Sequence, residues 1–149
     1  MTKIIHPVAG VLALLTIATF WLSTVFSEMF GSLALVTTVK TAIPWGFLLL
    51  IPALAAAGGS GFALAKGRRA ALIEVKMKRM PIIAANGILL LIPSALFLAF
   101  KARIGEFDRV FYAVQALELV AGATNIALLG RNLVDGLKMK GRFRRAAPL

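Results

Sequence analysis

Polar and apolar positions along this chain fall into long separate blocks and do not alternate. Four stretches, Ile4 to Ser27, Thr41 to Ala65, Met80 to Phe100 and Val110 to Gly130, carry no Asp, Glu, Lys or Arg apart from Glu118. An α-helix rises about 1.5 Å per residue, so roughly 20 apolar residues cross a hydrocarbon layer about 30 Å thick. Each stretch is long enough to span. The pattern predicts an all-α protein, an integral membrane four-helix bundle forming a single transmembrane domain over residues 1–149, with a basic cytoplasmic tail at 131–149. Four spans use most of the 149 residues, which leaves no length for a separate soluble enzymatic module.

Composition agrees with lipid as the solvent: 60% of residues are hydrophobic and the mean hydropathy is +0.89. The net charge of +11 raises the question of nucleic acid, and its placement answers it. Of 17 Lys and Arg, only Lys40, Lys101, Arg103 and Arg109 lie in the alternate loops, with Glu28, Glu106 and Asp108 beside them. The rest are Lys3, a cluster from Lys66 to Arg79 and another from Arg131 to Arg145. This is the positive-inside distribution, which puts both termini and the middle loop in the cytoplasm of a multi-pass protein of the bacterial inner membrane. Anionic lipid headgroups account for the basic rim, and no nucleic-acid partner is called for. The chain has no cysteine, which removes disulfides, thiolate metal sites and thioether-linked haem. The first apolar run exceeds the usual length of a cleaved signal peptide and reads as a retained signal-anchor.

The pairs His6-Pro7 and Met80-Pro81 predict helix starts at the cytoplasmic face, because proline is tolerated at the first helical position. The run Ala53 to Ala65 holds Gly58, Gly59, Ser60 and Gly61, but it follows no strand and so is not a dinucleotide loop. Ala57, Gly61 and Ala65 form a small-xxx-small ridge that lets another backbone approach, within the chain or across a homodimer. Trp21, Trp45 and Tyr112 read as an interfacial aromatic belt. The moderately apolar segment Glu28 to Lys40 is expected along the membrane surface, and its sequence assigns it no secondary structure.

The polar residues inside the spans are the candidate site. Gln115, Glu118, Gly122 and Asn125 recur at spacings of three, four and three, which gathers them into one stripe on the fourth span. A carboxylate facing lipid costs several kcal/mol, so Glu118 is expected inside the bundle, near Thr19 of the first span, as a candidate proton acceptor. Counted from the helix ends, Asn125, Asn86, Gly58–Gly61 and the slightly shallower Gly10 fall at one depth, either as tight packing joined by an Asn–Asn hydrogen bond or as a pocket in the cytoplasmic half. His6, the only histidine, sits at the mouth of that level near a helix N-terminus. The dipole there disfavours imidazolium, so His6 is either a neutral metal ligand or an interfacial residue capping the helix. Arg68, Arg69, Arg79 and Arg131 ring the same face. Asp135 and Arg131, four residues apart, are expected to pair locally.

A small four-helix inner-membrane chain whose first helix opens on His6-Pro7 resembles the b-type membrane cytochromes of the cytochrome b561 type. The resemblance implies one haem b with His6 as axial ligand, and Met80, a second chain's His6 or an open position on the other side. It also implies arginines on the propionates, Gly10, Gly58 and Gly61 as surfaces against the porphyrin, and electron transfer with a membrane quinone. Two other functions stand beside it: a non-catalytic accessory or assembly protein whose polar groups join helices, and a small-solute channel, which requires a continuous polar path.

Overall fold

The computed structural model describes residues 2–66 and 71–139. Helix α1 covers Thr2–Phe30 and α2 covers Leu33–Ala65. The third span is built from α3 (Ala71–Asn86), one π-helical turn (Gly87–Leu91) and α4 (Ile92–Arg103). Helix α5 covers Arg109–Met139. Four segments, Ile4–Phe30, Leu33–Ala65, Ile73–Arg103 and Arg109–Lys138, are long and apolar enough to cross a membrane. Helix α1 packs along α2, α2 against α4, and α5 closes the ring against α1 and α4. The outer surface is greasy: Leu48 is 75% exposed, Leu89 70% and Val120 68%. Water would not tolerate so continuous an apolar belt on a monomer, whereas hydrocarbon does. The architecture is an all-helical bundle whose four long apolar segments suit a multi-pass membrane protein.

Short connections with specific chemistry make the spans antiparallel. Between α1 and α2 only Gly31 and Ser32 intervene. A Cβ at Gly31 would lie 2.5 Å from the Ser27 carbonyl oxygen, so the turn requires glycine. Ser32 caps α2, its hydroxyl accepting from the Leu35 N–H at 3.3 Å. Helix α4 ends in a Schellman turn: Gly105 takes φ +72°, its N–H bonds the Ala102 carbonyl, and the Glu106 N–H bonds that of Lys101. Asp108 then caps α5 by accepting from the Phe111 N–H at 2.8 Å.

Lys101 ties this second turn together, donating to Glu106 at 2.6 Å and to Asp108 at 2.7 Å. The Lys101 hydrogen bond, and after it the Phe111 N–H, holds the Asp108 carboxyl below its ordinary value of 3.8. A depressed folded-state value means the cap is fully formed above the unfolded carboxylate range and is lost as pH falls through the folded value. The Phe111 amide resonance should therefore titrate with a midpoint below 3.8. A midpoint at or above that value would contradict the cap.

Three features of the helices differ from the sequence expectation. Pro7 and Pro81 lie inside α1 and α3 and do not open them. Helix α3 begins at Ala71, so Lys76, Lys78 and Arg79 are helical residues and not loop residues. The segment Glu28 to Lys40 is no surface connection but the end of α1, a two-residue turn and the start of α2. The π turn ends two residues before Pro93, whose ring would clash with the carbonyl four residues earlier, that of Leu89, in a regular helix, and widening the turn relieves this.

Two apolar clusters fill the interior. One, toward the end carrying the termini, gathers Ala13, Ile17, Leu50, Ala53, Ile83 and Leu129. The other, toward the Gly31 turn, gathers Val36, Leu98, Ala102 and Phe111. A polar layer sits between them.

Candidate functional site

The centre of that layer is an ion pair. Lys40 Nζ lies 2.5 Å from Glu118 Oε2, with the lysine side chain 1% exposed and the glutamate 12%. Thr24 Oγ1 accepts from the same ammonium at 3.5 Å. Lys40 belongs to α2, and its stripe Val36, Lys40, Ile43, Leu50 is otherwise buried and apolar. The lysine falls just outside the apolar run that begins at Thr41, so run length placed it in a loop. The period-3.6 continuation of the stripe was the signal that puts it in the core. Glu118 is inside the bundle, but beside Lys40 and Thr24; Thr19 donates to the Leu15 carbonyl of its own helix.

One layer toward the termini, Trp21 crosses from α1 to α5. Its indole N–H donates to the Leu119 carbonyl at 2.9 Å, and a Cβ at Gly122 would lie 3.0 Å from the ring. Trp21 is therefore a packing residue within the bundle as well as an aromatic near one end. Its ring stands between Glu118 and the next polar layer, where a channel would need polar continuity. Beside the ion pair is a cavity of about 50 Å³, with Trp21, Thr24, Phe47, Leu91 and Glu118 among its lining. That volume takes a few waters; benzene needs about 150 Å³, so a quinone ring does not enter the cavity in this arrangement.

The third layer is the asparagine pair. Asn86 Nδ2 donates to Asn125 Oδ1 and to the Ala121 carbonyl, both at 2.8 Å, and Asn125 Nδ2 donates to the Ile83 carbonyl at 3.3 Å. Asn125 is 0% exposed. The π turn begins immediately after Asn86. At the termini end, Arg79 donates to Asp135 at 2.7 Å and to Asn132 at 3.4 Å. Asp135 thus pairs across helices with Arg79, and the local pair with Arg131 expected from spacing is replaced; Arg131 is exposed.

His6 and the glycines form a separate contact. The His6 Nδ1–H donates to the Ala57 carbonyl at 2.9 Å, and Ser60 lies 3.4 Å from the same nitrogen. A Cβ at Gly61 would sit 2.9 Å from the ring. The Ala57–Gly61 ridge is therefore occupied by α1 of the same chain. Met80 lies on the neighbouring face of α2, its methyl 3.7 Å from a Cβ built at Gly58, while its sulfur receives the Asn132 amide at 3.5 Å. A Cβ at Gly10 would meet nothing within 4 Å. The expected common level therefore divides into the asparagine pair and this α1–α2 contact. Arg68 and Arg69 lie outside the described residues.

These positions test the fit of a haem. A carbonyl acceptor on Nδ1 is how a ligating histidine has its other nitrogen set for iron. The rest does not fit: the His6 ring itself lies against Gly61 and the Met80 methyl against Gly58, on adjoining faces of α2, which leaves only Gly10 of the expected porphyrin surfaces open. No group of three or more His, Cys, Asp or Glu placed to hold a metal ion occurs among the described residues.

No family model, curated protein or solved structure matches the chain.

Proposed function

We propose that this chain is a non-catalytic accessory or assembly protein of the bacterial inner membrane, with both termini and the segment joining α2 to α3 cytoplasmic. The observation that carries the reading is that three pairs of charges and amides on the spans point at one another across helices. Lys40 meets Glu118, Asn86 meets Asn125, and Arg79 meets Asp135. Groups so engaged join helices and are not presented to a substrate. The orientation rests on the basic residues gathered at the termini end, where they meet anionic headgroups.

Two measurements test it. With cysteine introduced at Ser32 and at Ala146, an impermeant thiol reagent applied to intact cells should label position 32 and spare 146; the reverse overturns the orientation. Purified from cells with ample haem supply, the protein should be colourless. A Soret band lost in His6→Ala would favour the b-type cytochrome reading, with electron transfer to quinone, and would require His6 and Met80 to leave the glycines they now cover. A homodimer would have to use a surface other than the Ala57–Gly61 ridge.

A further inference from the structure

The layer nearest the Gly31 turn is the one the helix-joining reading does not absorb. Two buried side-chain oxygens among the described residues have no hydrogen-bond partner: Glu28 Oε1 on α1 and Gln115 Oε1 on α5. Gln115 is 5% exposed. The register between these antiparallel helices is fixed one layer down, where Trp21 lies on Gly122. Two turns outward from Trp21 is Glu28, and two turns outward from Gly122 is Gln115. The midway residues, Thr24 and Glu118, meet through the Lys40 ammonium, which verifies the same register. The two unpartnered oxygens therefore occupy the same level on facing helices.

Both are acceptors, and acceptors shielded from water cost free energy unless a donor or a cation reaches them. The charges agree. Lys40 is engaged by Glu118 and Thr24, and among the described residues Glu28 forms no ion pair. From these two observations we infer that Glu28 and Gln115 form a binding site for a single positive charge with oxygen-seeking chemistry, either a proton or a sodium-sized monovalent cation, entered from the Gly31 end. Carboxylate, amide and hydroxyl oxygens are the donor set a hard cation takes. Ser27, 2% exposed beside Glu28, lies on the same part of α1.

Both sources bind the folded protein and so raise its stability by mass action. Thermal unfolding of the full chain in mild detergent would be followed from pH 6 to 9 in choline chloride, and at pH 9 with sodium replacing choline at constant ionic strength. A proton site predicts a melting temperature that rises by several degrees as pH falls, with no sodium effect. A cation site predicts a rise of several degrees with sodium at pH 9. The titratable and charged groups nearby are Glu118, Arg109 and Tyr112 on α5, Lys40 on α2, Arg103 at the end of α4, and the Lys101, Glu106 and Asp108 cluster at the second turn. The dependence is therefore read as the difference between wild type and Glu28→Gln, which should lose it. Gln115→Leu, which keeps the carboxylate, should weaken it at least tenfold in cation or proton concentration. A wild-type melting temperature indifferent to both pH and sodium would overturn the site and assign a direct Glu28–Gln115 hydrogen bond through the other face of the amide. A dependence that survives in Glu28→Gln would overturn it too.

Discussion

Lys40→Met should destabilise the bundle by about 3–5 kcal/mol, the range seen when one partner of a buried ion pair is removed and the other stays. The cost comes from Glu118, which would keep its carboxylate at 12% exposure with no ammonium beside it. Methionine matches the lysine stem in length and fills the space next to Thr24, so packing loss adds little. The double variant Lys40→Met, Glu118→Leu should recover most of the loss, because replacing both members of a buried pair by apolar groups is often neutral or better. Unfolding in detergent reads the difference. Equal stability of Lys40→Met and wild type would mean that the lysine is solvated and the pair is not the centre of the fold.

The second large effect is expected at Gly61. Gly61→Leu places a branched side chain where a Cβ alone would be 2.9 Å from the His6 ring. The ring cannot swing aside without losing its Nδ1 bond to the Ala57 carbonyl. Overpacking of this kind costs about 1–3 kcal/mol, and here the lost hydrogen bond adds about 1 kcal/mol. Gly10 supplies the control on the partner helix. Nothing lies within 4 Å of a Cβ at Gly10, so Gly10→Ala should be neutral or slightly stabilising while Gly61→Ala is not. If both alanine variants behave alike in thermal unfolding, α1 does not seat on the Ala57–Gly61 ridge.

The spans were legible in the sequence because hydrocarbon imposes a length and an absence of charge that runs of residues display directly. The α5 stripe was legible for a similar reason, since Gln115, Glu118 and Asn125 stand out against apolar neighbours at helical spacing. Lys40 was not, because a charge at the edge of an apolar run reads as the end of the run, and only a partner on another helix makes it an interior residue. Asp135 shows the same limit. Spacing offers Arg131 as its partner, and tertiary packing supplies Arg79. The prolines misled in a different way: Pro7 and Pro81 satisfy the sequence pattern of a helix start, yet the helices continue through them because each loses only one backbone hydrogen bond. Trp21 was read by residue type as an interfacial anchor. Its indole also joins α1 to α5, a role set by Gly122 opposite it and visible only once the helices are packed.

The central claim is that a Lys40–Glu118 pair inside the bundle holds α2 to α5, and the charge-exchanged double variant tests it most directly. Lys40→Glu alone puts two carboxylates together, and Glu118→Lys alone puts two ammonium groups together; both should fail to accumulate or should unfold at much lower temperature. In Lys40→Glu, Glu118→Lys the pair is re-formed with its direction reversed, and the account predicts recovery of at least half of the melting temperature lost in either single variant. A double variant no more stable than the worse of the two singles would contradict it.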